Sequence, residues 1–454
     1  MKDQLAQVLA PVLGDDVVVE NLRTLTGGAS RITSAFDAIA GGTRRALILR
    51  AAPTADGQFA SMELEAAVQA AAADAGAPVP HILVASNSPA ALGSPFLICE
   101  EIAGETIVRK IQRQLDDAGR ARLLTQCGQA LAAIHRARSD APELVERDEP
   151  AEWRRRLDEL GDTTATFEWA FRWLAANRPA AGPRTLVHGD FRMGNLIVEG
   201  LGPSSAGPVL AAVLDWEAVH IGDIHEDLAW FCVRAWRFGA PAGMAAGGLG
   251  TVEEFVAAYE QAGGSPVDRD ALRWWLALGT LKWGIICRYQ AERHLSGQTR
   301  SVELAAIGRR VCETEWDILD LLSPDRLAPP PSSAASSTRP ASLVSDLNGR
   351  PTAAELVVAV AEFLETEVRA NTAGAVNFHA LVAANALRIV ERELLDAGAP
   401  DALAALQRLG YPDEAALSSA IRAGELDHRD QDVLAGLRTV VGHRLAISHP
   451  GYDS

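Results

Sequence analysis

Hydrophobic residues in the first hundred positions occur in short β-branched runs that glycine and proline interrupt. Four such runs predict strands, at residues 17–25, 32–39, 44–50 and 95–102. Before the fourth run, the alanine- and glutamate-rich residues 59–75 predict a helix, which Pro78 and Pro80 end. This order predicts a small lobe built mainly from antiparallel strands.

From about residue 105 onward, the hydrophobic positions follow helical spacing instead. Apolar side chains in residues 123–134 recur three and four positions apart, and helical patterns continue to about residue 322. Residues 186–224 are the exception, because two short strands surrounded by loops interrupt the helices there. The predicted fold class is therefore α+β, with a strand-rich lobe (residues 1–103) followed by a larger helical lobe (residues 104–323).

A proline-, serine- and alanine-rich stretch, residues 324–346, separates a C-terminal unit from the two lobes. Such a composition cannot bury a core and indicates a linker. Residues 347–454 are predicted to form an all-α domain, because Thr352 and Glu355 have the spacing of a capping box and two apolar stripes follow. We expect the domain to bury these stripes itself, so that a chain ending near Leu327 would remain folded. The alternative is that the stripes dock on the helical lobe or on a second subunit.

Composition excludes several classes of function. The chain has 454 residues, of which 48% are hydrophobic and 22% charged, so disorder is not its main state. Its 42 basic and 59 acidic residues give a net charge of −17, which argues against nucleic acid or an anionic membrane as a partner. The five cysteines form no CxxC pair and indicate a reducing, cytoplasmic compartment. No stretch of about 18 uncharged apolar residues predicts a transmembrane helix.

Residues 186–198 hold the strongest chemical signal. Within them a carboxylate and an amide, Asp190 and Asn195, stand five positions apart on a loop that enters a strand. A second hairpin strand, residues 209–214, delivers Asp215 beside that loop. Phosphoryl transfer needs such a set: one carboxylate that orients the attacking hydroxyl and accepts its proton, and hard oxygen ligands for Mg²⁺. We therefore assign Asp190 as the catalytic base and Asn195 and Asp215 as metal ligands.

The loop reads His188-Gly189-Asp190, then four residues, then Asn195, and is similar to the H-R-D-x-x-x-x-N loop of protein kinases. With the motifs around it, the chain resembles the aminoglycoside phosphotransferase family, and within it the branch similar to the kinase-like domain fused to some acyl-CoA dehydrogenases. The resemblance implies a protein-kinase-like fold of two lobes. The matching segments include residues 26–30, Leu49-Arg50, 214–217 and 227–230.

The resemblance also implies a nucleotide site in the small lobe. The backbone N–H groups of Gly27, Gly28 and Ser30 would cover the phosphates, although these residues on their own would indicate an ordinary turn. Arg50 stands where protein kinases carry the phosphate-binding lysine, and Glu65 is its expected partner. A surface arginine and a solvated helix glutamate are the alternative.

Two further roles follow from the same resemblance, and a third from the apolar pattern of the chain. Residues Glu100 to Ile102 would join the two lobes and offer backbone groups to adenine. Arg192, two residues after the catalytic aspartate, would neutralise the transferring phosphoryl group, and a salt bridge within the loop is the alternative. Asp227 is expected to be structural and to brace the loop backbone, because the apolar residues 228–231 indicate a buried helix.

The function that these expectations favour is a small-molecule kinase. It would transfer the γ-phosphoryl group of ATP, with GTP as the alternative nucleotide, to a hydroxyl group of a small molecule in the presence of Mg²⁺. The acceptor, whether an aminoglycoside, a hydroxyacyl compound or another metabolite, is not readable from the sequence, and neither is the oligomeric state. The alternative function is a regulatory module that binds nucleotide without phosphotransfer and uses the C-terminal domain as its output.

Overall fold

The computed structural model describes residues 1–25, 31–52, 60–202, 206–322 and 350–453. These residues form two compact units. Unit 1 comprises Met1–Asp148 and Pro179–Leu276, and unit 2 comprises Glu149–Arg178 and Ala277–Ser454. The fold is mixed α+β, as expected. The lobe and linker boundaries stated above remain predictions.

The described residues form the following strands and helices. The strands are β1 Val18–Thr24, β2 Ile32–Ala40, β3 Thr43–Ala51, β4 Ile82–Ser86, β5 Phe96–Glu100, β6 Arg184–Val187, β7 Leu196–Glu199, β8 Val209–Val213 and β9 His220–Asp223. The helices are α1 Lys2–Leu13, α2 Met62–Asp74, α3 Val108–Gln114, α4 Asp117–Arg136, α5 Glu149–Glu159, α6 Ala165–Ala176, α7 Ile224–Cys232, α8 Val252–Gln261, α9 Arg269–Leu295, α10 Val302–Ile307, α11 Val311–Leu322, α12 Ala353–Phe363, α13 Gly374–Leu394, α14 Ala399–Leu409, α15 Glu414–Ala423 and α16 Asp430–Ser448. Among the described residues, no helix is long and apolar enough to cross a membrane.

A five-stranded antiparallel sheet in the order β1-β2-β3-β5-β4 begins unit 1. Helix α1, which the strand pattern did not predict, packs on this sheet through Leu5 and Leu9, both fully buried. Helix α2 begins at Ser61, whose hydroxyl accepts a hydrogen bond from the Leu64 N–H. The sheet and α2 hold the two residues, Arg50 and Glu65, that the sequence pairs.

The rest of unit 1 surrounds two short antiparallel strand pairs, β6–β9 and β7–β8. Its core contains Leu131 and Ile134 from α4, Phe191 from the loop after β6, Trp216 after β8 and Phe231 from α7, all fully buried. This packing places the loop after β6, the turn after β8 and helix α7 side by side.

Helices α14 to α16 of unit 2 share one hydrophobic core with α6 and α11. Ala165 of α6 and Trp316 of α11 belong to the same buried cluster as Leu406, Leu417 and Val441 from the three C-terminal helices. Residues 351–454 therefore do not bury their apolar surface by themselves. The two predicted apolar stripes lie on α12 and α13 and contribute no residue to this buried cluster, so the partner of the stripes stays a prediction.

Helix α12 begins with the predicted capping box. The Thr352 hydroxyl accepts from the Glu355 N–H, while the Glu355 carboxylate accepts from the Thr352 N–H. The sequence predicted that the domain would bury the apolar stripe of this helix. In the structure Leu356, Val360 and Phe363 of the stripe are instead 53%, 50% and 49% exposed.

Candidate active site

The residues between β6 and β7, 188–195, form what we call the catalytic loop. The chain turns sharply at Gly189, where φ is +81°, a conformation that glycine adopts without strain. A Cβ at this position would lie 2.6 Å from the Ala218 carbonyl oxygen, so a side chain would not fit. The turn brings the Asp190 side chain to the surface of the site, where it is 23% exposed.

Three side chains donate hydrogen bonds to the Asp190 carboxylate. The Trp230 indole Nε1–H lies 2.7 Å from Oδ1, and the Asn195 amide Nδ2 lies 2.7 Å from Oδ2. The Arg192 Nε–H is shared between the two oxygens, at 3.0 and 3.2 Å. Arg192 thus forms the salt bridge within the loop that the sequence left as one alternative.

The β7–β8 hairpin brings the two predicted metal ligands to the same place. The Leu214 N–H donates to the Asn195 carbonyl oxygen at 2.8 Å, immediately before Asp215. Because the Asn195 amide nitrogen faces Asp190, its Oδ1 is the atom that would bind a cation. Asp215 has a φ of +67°, a backbone conformation that non-glycine residues adopt mainly at constrained or functional positions. An amide oxygen and a carboxylate are ligands that fit Mg²⁺.

Five charged residues beside the hairpin form what we call the charged cluster: Arg31, Arg50, Glu65, Asp215 and Glu217. Arg50 of β3 donates to Glu65 of α2 at 3.1 Å and to Asp215 at 2.7 Å. Arg31 donates to the second oxygen of Glu65 at 2.9 Å and lies 3.5 Å from Glu217. Glu65 is fully buried and therefore bridges two arginines. The Arg50–Glu65 contact is the one expected from the sequence, and Arg31 is a further member that the sequence did not indicate.

Burial and charge act in opposite directions within the charged cluster. Burial lowers the pKa of the Arg50 guanidinium, but the carboxylates of Glu65, Asp215 and Glu217 outweigh burial and raise that pKa above its usual value. At Glu65 burial dominates, so the pKa is raised despite the neighbouring arginines. The guanidinium of Arg50 therefore stays charged and would be available to phosphate oxygens.

Helix α7 holds the backbone of the catalytic loop through Asp227. Its two carboxylate oxygens accept the N–H groups of His188 at 2.7 Å and Gly189 at 2.9 Å, and His135 Nε2 lies 3.2 Å away. Burial on its own raises the pKa of Asp227, but the bonds from His135 and His188 outweigh it and lower the pKa. Asp227 has the bracing position that the sequence predicted.

His188 is held as a neutral imidazole. Its Nε2 lies 3.0 Å from the Leu214 carbonyl oxygen, and its Nδ1 accepts the Asp190 N–H at 3.2 Å. The proton is therefore on Nε2, and a second proton on Nδ1 would face the Asp190 N–H. Burial accordingly lowers the pKa of His188.

The remaining predicted site residues are not among the contacts described above. Gly27, Gly28 and Ser30 fall outside the described residues. The N–H groups of Glu100 and Glu101 donate, each at 2.9 Å, to the backbone carbonyl oxygens of His81 and Ala46, so neither N–H is available to a base. Ile102 follows the end of β5.

The sequence did not identify Trp230 as part of the site. It placed Trp230 in a buried helix, which is correct, since the residue is 3% exposed. The signal that could have found it is position: Trp230 follows Asp227 by three residues on α7, so both side chains share one helix face.

Two protein-family profiles match separate parts of the chain. The profile of the APH phosphotransferase enzyme family matches residues 23–275, and that of a domain of unknown function, DUF6285, matches residues 370–452. The chain is 28% identical over 297 residues to acyl-CoA dehydrogenase family member 10 of Mus musculus, covering 60% of this chain and 27% of that protein. It is 30% identical over 175 residues to acyl-CoA dehydrogenase family member 11 of Gallus gallus, covering 36% of this chain and 22% of that protein.

The chain thus spans about a quarter of the length of these curated relatives. A solved structure from Ralstonia eutropha, of a protein assigned as an aminoglycoside phosphotransferase, is similar with a TM-score of 0.56 and 21% identity. The similarity covers 70% of this chain and 98% of that one. At this identity the likeness shows the fold alone, which is the kinase-like fold expected from the sequence.

Proposed function

Because the chain belongs to the APH phosphotransferase enzyme family, we propose that it is a kinase that transfers the γ-phosphoryl group of ATP to a hydroxyl group of a small molecule. The observation that carries this proposal is the convergence of Asp190, Asn195 and Asp215 at one end of the β7–β8 hairpin. GTP is the alternative nucleotide.

Asp190 is the proposed catalytic base. An acceptor hydroxyl would donate its proton to this carboxylate as its oxygen attacks the γ-phosphorus, which makes the oxygen a better nucleophile. Asn195 Oδ1 and Asp215 would hold Mg²⁺, which neutralises charge on the phosphate oxygens when it is bound. The hydrogen bonds from Asn195 and Trp230 keep the base oriented.

Two of the site's arginines, Arg50 and Arg192, would exchange partners when nucleotide binds. Arg50 donates to Asp215 with one end of its guanidinium and to Glu65 with the other. We propose that the end on Asp215 turns to the nucleotide phosphates while the end on Glu65 stays. Arg192 would leave Asp190 for the transferring phosphoryl group, which uncovers the base for the acceptor hydroxyl.

The proposed acceptor is a hydroxylated acyl compound. Two curated relatives are named acyl-CoA dehydrogenase family members, and this supports an acyl compound over an aminoglycoside. The five cysteines are all buried and free, which supports the cytoplasmic compartment that the sequence predicts. No nucleic-acid or membrane partner is part of the proposal.

A screen of hydroxylated metabolites, aminoglycosides included, tests the function. The purified chain should consume ATP in the presence of Mg²⁺ and one acceptor, and Asp190→Ala should abolish this turnover while leaving the circular dichroism spectrum unchanged. Asp117→Ala, at a 97% exposed position of α4, is the matched control and should keep wild-type turnover. Nucleotide binding without turnover on any acceptor would instead support the regulatory module.

A further inference from the structure

We propose that Trp230 is a positioning residue for Asp190, and that α7 thereby holds the catalytic loop at two points. The reaction is the phosphotransfer proposed above, and the inference about Trp230's role in turnover rests on that function. The contact itself is independent of it: the indole N–H lies 2.7 Å from Asp190 Oδ1 although the two residues are 40 positions apart.

The first point of attachment is the loop backbone. Asp227 accepts the N–H groups of His188 and Gly189, the two residues that precede Asp190. Trp230 lies one helical turn further along α7 and reaches the Asp190 side chain. One face of one helix thus sets both the path of the loop and the direction of its carboxylate.

The donors on Asp190 differ in how easily they can leave. A carboxylate has about four acceptor positions, and Trp230 and Asn195 each occupy one, on different oxygens. Arg192 shares its Nε–H between both oxygens and stacks over the Trp236 ring at 4.9 Å. A charged, flexible arginine has an alternative partner in a phosphoryl group, whereas an indole is a donor only and has no charge to pair.

Packing keeps the Trp230 indole in place. The ring is buried and meets Trp236 edge-on, with ring centroids 5.2 Å apart. Rotation of the indole away from Asp190 would disturb this aromatic contact. When Arg192 leaves, Trp230 and Asn195 therefore still hold the carboxylate, and the positions that Arg192 vacates face the acceptor hydroxyl.

The contact is tested without any turnover by the indole N–H resonances of the full chain labelled with ¹⁵N-tryptophan. The chain has 10 tryptophans, and Trp230→Phe identifies the resonance of Trp230 by its loss. That resonance should lie downfield, as expected for a bond to a carboxylate, and should move upfield in Asp190→Ala. Asp117→Ala should leave it unchanged. A Trp230 resonance that does not respond to Asp190→Ala overturns the inference.

The role in turnover is tested by Trp230→Phe, which keeps an aromatic ring and removes the donor. We expect kcat to fall about 10- to 100-fold, the scale of one hydrogen bond to a charged group, while KM for the nucleotide stays at its wild-type value. Trp173→Phe, on α6 in unit 2, is the control and should keep kcat.

An unchanged kcat in Trp230→Phe, or equal loss in nucleotide affinity and kcat, would overturn the positioning role. If the wild-type chain turns over no acceptor, the proposed function fails, and the resonance experiment alone then decides whether Trp230 holds Asp190. If Trp230→Phe does not fold, the response of the wild-type resonance set to Asp190→Ala and Asp190→Asn gives the same decision.

Discussion

The catalytic loop and the charged cluster lie beside each other but are held in different ways. The loop is fixed by short hydrogen bonds from buried groups: Asp227 binds its backbone, and a neutral His188 links it to the strand that precedes Asp215. The charged cluster is held by ion pairs between side chains. Arg31 and Arg50 both pair with Glu65, and Arg50 also pairs with Asp215.

This difference indicates that the catalytic loop positions the Asp190 carboxylate, whereas the charged cluster is suited to binding nucleotide. Hydrogen bonds that loop N–H groups donate to a buried carboxylate on one helix fix a geometry, because neither partner can move without breaking them. Ion pairs of arginine can be exchanged for phosphate oxygens at little cost, because the guanidinium fork fits both kinds of oxygen. We therefore expect changes in the loop to affect stability and turnover, and changes in the charged cluster to affect nucleotide affinity.

The largest effect is expected from Asp227→Ala. The substitution leaves the buried N–H groups of His188 and Gly189 without their acceptor. The free energy of unfolding should fall by about 2–6 kcal/mol in urea titrations at neutral pH, since each buried donor left without a partner costs about 1–3 kcal/mol. Asp117→Ala should change it little. A loss equal to that of Asp117→Ala would show that Asp227 does not brace the loop.

Asp227 also adds a pH dependence with a defined sign. Its pKa in the folded chain is lowered, so its contribution to stability is fully present above the ordinary aspartate pKa of about 3.9. The contribution is lost as the pH falls through the lower folded pKa. Asp227→Ala should therefore flatten the acid side of the stability curve.

The second effect concerns Arg50 and nucleotide affinity. Arg50→Ala should weaken ATP binding by about 1.5–3 kcal/mol, since a charged hydrogen-bond donor to phosphate is removed. Arg50→Lys should recover part of this loss, because the charge remains but the fork does not. Arg44→Ala, at a 53% exposed position of the same strand, is the control for isothermal titration calorimetry. Equal affinity in Arg50→Ala and Arg44→Ala would contradict the assignment of Arg50 to the phosphates.

The smallest effect is expected from the titration of His188. Burial lowers its folded pKa, so the unfolded chain binds more protons once the pH falls below the ordinary histidine pKa of about 6.5. Stability should therefore decrease on acidification from about pH 7.5 to about pH 5.5, and His188→Gln should remove part of this slope. The exposed His428 provides the control substitution, His428→Gln. A slope that is the same in His188→Gln and wild type would count against a neutral His188.

Local sequence patterns predicted which residues lie together at the candidate site, because several of them are linked by short spacings, and the roles of these residues stay predictions. The five-residue step from Asp190 to Asn195, the hairpin that returns to Asp215 and the strand position of Arg50 all follow from neighbours in the chain. Arg50 was expected to meet Glu65 because the resemblance places them where protein kinases pair a strand lysine with a helix glutamate, and their side chains are in contact.

Contacts between distant segments could not be predicted in the same way. Trp230 lies in an apolar helical run. The spacing of hydrophobic residues predicts that its ring is buried, but it does not predict which polar atom the indole N–H contacts. The stripes of the C-terminal helices likewise show that a face is apolar, but they do not specify its partner. For the same reason the sequence did not indicate the core that α14 to α16 share with α6 and α11.

That shared core has a consequence for the order in which the chain folds during synthesis. The N–H of Ala165 on α6 donates to Glu414, 249 residues later, and at about 5–20 residues per second the ribosome needs roughly 12–50 s to supply that partner. Unit 1 has all of its sequence once residue 276 is made. Helix α6 must then wait with the apolar surface around Ala165 uncovered, so a nascent chain stalled before residue 399 should bind chaperones through residues 165–176 and release them only when α14 to α16 emerge.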